Sequence, residues 1–384
     1  MKPALEGSVF VLASPEEGGC WSVHKLNGFR GILELTVKKG ATDLHVKVPS
    51  PPVLRIDSVL VPQEEWPPFT AKDIEVIFEE ITTEDQRAAF SREWELDFAY
   101  SVPGLARFRV NALQQRGTVS LAFRLVPSSV PSIDELELPQ ICKALILKPR
   151  GLILVTGPAG SGKSTTLAAV INHLNENETR SVITIEDPIE YLFQDKKCII
   201  RQRDLKDDTK SFSTALIHAL RHDPDVIVIG EMRDLETIST AITAAETGHL
   251  VLATLHTIDA AQSIDRIIDV FPPEQQRQMR LQLSQVIEAV LSQTLLPRIG
   301  GGRIAAFEIM LANSVIRRLI REEKIYEIPS SLEMGRLEGM QTLDQALADL
   351  VRSGIVSREE AMMKTSNPVK LNKLLQVEHD ILTT

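Results

Sequence analysis

Gly157-Pro158-Ala159-Gly160-Ser161-Gly162-Lys163-Ser164 has the residue types and spacing of a phosphate-binding loop. Its glycines let backbone N–H groups turn toward a polyphosphate, and the N-terminus of the next helix adds a partial positive charge. A lysine then reaches the β/γ-phosphates and a hydroxyl next to it suits Mg²⁺. Gly157, Gly160, Ser161, Gly162, Lys163, Ser164 and the adjoining Thr165 are therefore the candidate nucleotide-binding residues. Two acidic stretches supply the other half of such chemistry. Thr184-Ile185-Glu186-Asp187-Pro188-Ile189-Glu190 and Asp225-Val226-Ile227-Val228-Ile229-Gly230-Glu231 each run from an apolar strand pattern into carboxylates. One carboxylate can position Mg²⁺ while another orients or deprotonates an attacking water. Glu190 and Glu231 are the candidates, whereas Glu186 and Asp187 could equally serve as caps of a helix N-terminus.

These groups need a scaffold that brings distant segments to one edge. Apolar runs at 152–155, 182–185, 226–229 and 250–255 alternate with helical spacing, as at Leu167, Val170, Ile171 and Leu174. That alternation predicts a mostly parallel sheet with helices packed on it, whose strand C-terminal ends line the ligand crevice. His249 and His256 bracket the last of these strands; their odd spacing puts them on opposite faces, so they share no metal. His256, at the crevice end, is a candidate phosphate contact.

Upstream, residues 27–130 mix strand and helix signals: strands at Asp43–Val48 and Val53–Val61, a helix over Thr70–Arg92, and a hairpin of Arg107–Leu113 and Val119–Val126. Arg109 and Arg124 both project from that hairpin's polar face. The proline- and serine-marked stretch beyond it predicts a linker over 131–147 and an ATPase-type domain over 148–384, helical after about residue 273. Residues 1–26 form an extension with no readable role.

The chain carries 52 acidic and 42 basic residues, a formal charge of −10, which argues against broad nucleic-acid binding. Cys20, Cys142 and Cys198 form no CxxC pair, so neither a disulfide framework nor a cysteine zinc site is indicated. No apolar run is long enough to span a bilayer, and direct membrane insertion is not expected.

In order and spacing, the four segments ending near 164, 190, 231 and 257 resemble the Walker A, Asp box, Walker B and His box of the type II/type IV secretion ATPase superfamily. Within it the chain is similar to retraction ATPases of type IV pili. The likeness runs from Thr42-Asp43-Leu44-His45 through Arg107-Phe108-Arg109-Val110-Asn111 to Gly339-Met340-Gln341-Thr342-Leu343-Asp344, and includes Ser314–Glu322, with Arg317, Arg318 and Arg321 around an apolar stripe. The resemblance implies a PAS-like α+β N-terminal domain and a RecA-like P-loop ATPase domain with a helical C-terminal region. It implies ATP and Mg²⁺ as ligands, Glu190 as catalytic base, Glu231 and Ser164 on the Mg²⁺ side, and Arg109 and Arg124 as phosphate-contacting arginines. It further implies a homohexamer at the cytoplasmic face of a bacterial inner membrane, working with a pilus platform protein and a paralogous retraction ATPase. Ala159, His256-Thr257-Ile258-Asp259, Asp204–Asp207, Val315 and Arg318 depart from the family's usual residues.

Four rivals are narrower fits. An accessory, paralogous retraction ATPase is close in length, but Val315–Glu322 keeps the retraction-type Ile-Arg-x-Leu-Ile-Arg-Glu pattern. Assembly or secretion ATPases of the superfamily usually carry a further N-terminal domain and a tetracysteine zinc element, which these residues do not contain. A low-turnover nucleotide scaffold would bind ATP without hydrolysing it. A DNA-translocating motor is opposed by the acidic balance.

Overall fold

The computed structural model describes residues 27–56, 59–127, 129–205 and 207–376; the 1–26 extension lies outside them. The chain divides into two compact units between Leu125 and Val126.

The first unit opens with α1 (Asn27–Lys38), β1 (Asp43–Val46), β2 (Val53–Ile56) and β3 (Val59–Pro62). It continues with α2 (Ala71–Ile81), α3 (Glu84–Glu93), β4 (Glu95–Val102), β5 (Ala106–Gln115) and β6 (Thr118–Val126). The strands form one sheet in the order β3-β2-β1-β6-β5-β4. Phe108, Val110, Leu121 and Phe123 of the β5–β6 hairpin point into a core shared with α1 and α2, while Arg109 and Arg124 take the alternate, exposed positions. Two expected elements are subdivided. The 53–61 strand is a hairpin of β2 and β3, and the 70–92 helix is two helices. Thr82 leaves the helical conformation and the adjacent Thr83 caps α3, its hydroxyl accepting from Gln86 N at 3.3 Å.

The second unit begins with α4 (Ile141–Ile146), β7 (Gly151–Thr156), α5 (Lys163–Asn177), β8 (Ser181–Glu186), β9 (Ile199–Asp204) and α6 (Phe212–Ala219). Next come β10 (Val226–Ile229), α7 (Leu235–Glu246), β11 (Leu250–Leu255), α8 (Ala260–Asp269) and α9 (Pro273–Val286). β12 (Ile287–Pro297), β13 (Arg303–Leu311), α10 (Ser314–Arg321), α11 (Ile328–Met334), α12 (Leu343–Arg352), α13 (Arg358–Lys364) and α14 (Pro368–Gln376) complete it. The sheet order is β13-β12-β7-β11-β10-β8-β9, with every neighbouring pair parallel except β12 and β13. Residues of β7 alternate between two cores: Leu152 and Leu154 pack with helices α6 to α10, Ile153 and Val155 with α4 and α5. This is the doubly covered parallel sheet expected from continuous apolar strands.

Two expectations need correction. The region after 273 is not wholly helical, because β12 and β13 complete the sheet; short apolar runs such as Ala289–Leu291, broken by polar residues on either side, do not by themselves separate buried strand from buried helix. The 131–147 segment does not behave as a loose connector. Ile133, Leu138, Cys142, Leu145 and Ile146 are all buried in the core beside α5 and β7, apolar anchors spaced among the prolines and serines that suggested a linker.

The Ser314–Glu322 helix also differs from its sequence reading. Arg317 does not point to solvent: its guanidinium donates to Ala312 O, Ser284 O and Gln285 O at 2.8–2.9 Å and pairs with Glu288 at 2.8 Å. Glu288 in turn binds Lys148 at 2.5 Å. Arg317 thus ties α10 to the end of α9 and to β12, while Arg318 and Arg321 remain exposed. Arg317→Ala leaves carbonyls and a largely buried carboxylate short of a donor. It is expected to destabilise the second unit by about 2–4 kcal/mol, whereas Arg321→Ala should stay within about 0.5 kcal/mol; denaturant melts of the two variants check the contrast.

Candidate nucleotide site

Parallel pairing sets where the chemistry collects. The register places Leu255 beside Thr156, and Ile229 beside both Ala253 and Ile185. The segments after β7, β8, β10 and β11 therefore leave the sheet at one edge, carrying residues 157–165, 186–191, 230–234 and 256–259 respectively.

The loop after β7 is shaped by its contact with β12. A Cβ on Gly157, which has φ 144°, would lie 2.3 Å from Gln293 O, so only glycine fits between the loop and the neighbouring strand. Gln293 Nε2 donates to Ser161 O at 2.6 Å, and Thr156 Oγ1 donates to Ser292 Oγ at 2.8 Å, so β12 underpins the loop. Gln293 Oε1 and Ser161 Oγ are buried without partners. Gly160 and Gly162 also have positive φ, and α5 begins at Lys163. Lys163 Nζ donates to Gly157 O at 2.8 Å and Pro158 O at 3.1 Å. Burial lowers the Lys163 pKa, opposed by the nearby carboxylates of Glu231 and Glu190. Ser164 and Thr165 are half-buried, and the Thr165 hydroxyl lies 3.1 Å from Tyr191 OH.

The carboxylates divide by environment. Glu231 Oε2 lies 2.6 Å from Arg233 Nη2 and 3.4 Å from His256 Nε2. Burial raises its pKa, but Arg233 and then His256 outweigh that and hold it below the usual range, so it is anionic at neutral pH. Gly230, whose Cβ would come 3.0 Å from Ile185 O, lets the strand end pass close to β8. Thr254 Oγ1 donates to Gly230 O and Met232 N donates to Thr254 O, which fixes the peptide before and after Glu231. Glu186 turns inward instead: Thr184 Oγ1 donates to it at 2.6 Å and Gln202 Nε2 at 3.1 Å, and burial raises its pKa. Glu190 is exposed on the loop beyond. That loop is tied down by Gln202 Nε2 donating to Tyr191 O at 2.8 Å, and by Leu192 N donating to Pro127 O at 3.1 Å.

Of the sequence candidates, Lys163, Glu190, Glu231 and His256 therefore come together, with the loop glycines, Ser161, Ser164 and Thr165. Arg109 and Arg124 lie in the first unit, where Arg124 Nε pairs with Asp43 Oδ1 at 2.9 Å. His249 is structural: its Nδ1 lies 2.9 Å from Ala244 O and 3.3 Å from Thr247 Oγ1, at the end of α7. Asp234 and Asp259 cap α7 and α8, accepting from Thr237 N and Gln262 N. Gln293, Tyr191 and the Arg233–Glu231 pair escaped the sequence reading. No motif marks Gln293, because its strand read as helix.

Loop, lysine, anionic Glu231 and strand-edge topology together define the P-loop nucleotide-binding ATPase class. The family model for type II/IV secretion system proteins matches residues 102–301. The type IV pilus retractation ATPase PilT of Pseudomonas aeruginosa is 48% identical over 337 residues, covering 88% of this chain and 98% of that one. A twitching motility protein of Neisseria gonorrhoeae is 49% identical over 302 residues, covering 78% and 81%. A crystal structure of the pilus retraction motor PilT with bound ADP superposes with a TM-score of 0.83 at 44% identity, covering 89% and 99%. The chain belongs to the type II/IV secretion system protein family.

Gln293→Leu removes both the support under the loop and an unpartnered buried oxygen. The expected outcome is a melting temperature close to the parent's with affinity for a non-hydrolysable ATP analogue weakened about tenfold, the value of one lost hydrogen bond of roughly 1.4 kcal/mol. Calorimetric titration and thermal melting measure the two effects separately.

Proposed function

We propose that this protein is an ATP-hydrolysing motor that powers retraction of a type IV pilus. The observation that carries the proposal is the meeting of Lys163 with the carboxylates of Glu231 and Glu190 at one edge of a parallel sheet, beside a glycine cradle. A polyphosphate would sit on the N–H groups of residues 157–165, with Lys163 neutralising its β/γ oxygens. Among the described residues no three His, Cys, Asp or Glu side chains gather as a metal site, so Mg²⁺ would be held mainly through the phosphates, with Ser164 and anionic Glu231 as the protein's oxygen donors. Bound there, Mg²⁺ supplies charge neutralisation for phosphoryl transfer. Glu190, exposed and carried on an anchored loop, would accept a proton from water. His256, within reach of Glu231, can sense the phosphate end. Arg109 and Arg124, both on the polar face of the β5–β6 hairpin, are the arginines that would stabilise developing charge when brought to the nucleotide.

High identity to a pilus retraction ATPase along nearly its whole length favours retraction over assembly or secretion. On the same reading the motor is a homohexamer acting at the cytoplasmic face of a bacterial inner membrane on a pilus platform protein, alongside a paralogous retraction ATPase. Among the described residues no helix is long and apolar enough to cross a membrane.

Lys163→Ala is expected to abolish steady-state phosphate release while the chain still melts cooperatively at a temperature lowered by only a few degrees, since the ammonium packs little and its loss frees two loop carbonyls. Glu190→Gln should lose on the order of 10²-fold or more in turnover while still binding an ATP analogue, as befits a group acting only on water. Parent-level turnover in Glu190→Gln would pass the role of base to another carboxylate. A complemented host lacking its own retraction motor should regain twitching with the parent chain and not with either variant.

A further inference from the structure

The segment between β8 and β9 carries Glu190, and from 187 to 198 its backbone enters no helix or strand. Two side-chain amides, one from α5 and one from β9, bind it instead. Asn175 of α5 takes the far half: its Nδ2 donates to Gln194 O at 2.8 Å, and its Oδ1 accepts from Lys196 N at 3.0 Å and Cys198 N at 3.2 Å. Gln202 of β9 takes the half next to Glu190. It lies opposite Thr184 of β8 in the parallel register. Its Nε2 donates to Tyr191 O at 2.8 Å and to Glu186 Oε1 at 3.1 Å, while its Oε1 accepts from Phe193 N at 3.0 Å.

Both sides of the Gln202 amide are thus in use, and only one orientation serves, because the reverse would set its oxygen against two other oxygens. Glu186, itself bound by Thr184 Oγ1 at 2.6 Å, fixes that orientation from the strand. Tyr191 is also pinned from the opposite side, since its hydroxyl lies 3.1 Å from Thr165 Oγ1, two residues beyond Lys163 on α5. The residue next to Glu190 is therefore joined to β9 through its carbonyl and to the helix of the phosphate loop through its hydroxyl. An exposed carboxylate on an unanchored loop would sample many positions, and a general base helps only within hydrogen-bond reach of the proton it takes. From this arrangement we infer that Gln202 is a positioning residue: with Tyr191 it sets where the Glu190 loop stands relative to Lys163. The inference rests on the reading of Glu190 as the base only for its effect on turnover.

The test compares the parent full-length chain with Gln202→Leu, which removes all three bonds, and with Tyr191→Phe, which removes only the hydroxyl. Amide exchange is read at Leu192, whose N–H donates to Pro127 O and not to Gln202, so a faster rate there reports release of the loop rather than loss of a direct partner. Positioning predicts exchange about tenfold faster at Leu192 in Gln202→Leu, while Lys196 and Cys198, bound by Asn175, stay within about twofold of the parent. In Tyr191→Phe the rate at Leu192 should rise by about twofold or more, a result that carries the test if Gln202→Leu does not fold. An unchanged rate at Leu192 in the folded variants overturns the proposal, whether or not the chain hydrolyses ATP.

Kinetics supply a readout that a purely structural side chain would not move. In Gln202→Leu, kcat should fall about tenfold or more, with KM and affinity for a non-hydrolysable ATP analogue within about twofold of the parent, because the loop serves the attack on phosphate rather than nucleotide binding. In a Glu190→Gln background, Gln202→Leu should cost less than about twofold more, since no base is left to position. An equal loss with and without Glu190→Gln would overturn the proposal by placing the action of Gln202 elsewhere. Parent-level turnover in Glu190→Gln, with faster exchange at Leu192 in Gln202→Leu, would instead strike at the reading of Glu190 and uphold the anchoring of its loop.

Discussion

The close approach of β12 to the loop after β7 is the constraint on which the nucleotide site depends. Backbone oxygen of Gln293 stands where a Cβ of residue 157 would have to be, so the chain leaves β7 in a conformation open only to glycine. The same strand offers Ser292 to Thr156 and the Gln293 amide to Ser161 O, and these contacts hold the turn in which Lys163 begins a helix. With the loop fixed at the end of β7, parallel pairing does the remaining work. β8, β10 and β11 each stop within a residue or two of the same level as β7, so the segments beyond them emerge at the same edge.

Electrostatics then assign different tasks to similar groups. Glu186 and Glu231 are both carboxylates at strand ends, yet Glu186 is turned into Thr184 and Gln202 and made harder to ionise, while Glu231 is held ionised by Arg233 and His256. Only the second is suited to a divalent cation at neutral pH. Arg233 also limits Glu231, since its guanidinium already occupies one oxygen of that carboxylate and must share it with any metal-bound nucleotide.

Much of this was legible in the sequence because it is local. The β7 run, the glycine spacing and the carboxylates after β8 and β10 sit in contiguous segments, and the parallel sheet is implied by the alternation of apolar runs with helical ones. What the sequence hid was decided by contacts between distant segments. Arg317 reads as one of three basic residues on an amphipathic helix, and only Glu288 and the carbonyls of Ser284 and Gln285 make it structural. Ile133 and Leu138 read as incidental within a proline-rich linker, and only the face of the α5–β7 core makes them anchors. β12 has an apolar run that suits either a helix or a strand, so Gln293 could not be recognised as part of the site. His249 and His256 lie beyond opposite ends of β11, so the length of the strand rather than its alternation separates them: the first sits at a helix end and the second 3.4 Å from Glu231.

On this reading four separate segments answer to one polyphosphate. The most direct measurement is amide exchange with and without Mg²⁺ and a non-hydrolysable ATP analogue, read at 157–165, 186–191, 230–234 and 256–259. Protection should rise at all four, with the same midpoint in analogue concentration, and Lys163→Ala should abolish the rise at every one. Protection confined to 157–165 would contradict it, leaving a phosphate loop whose neighbouring carboxylates and histidine take no part.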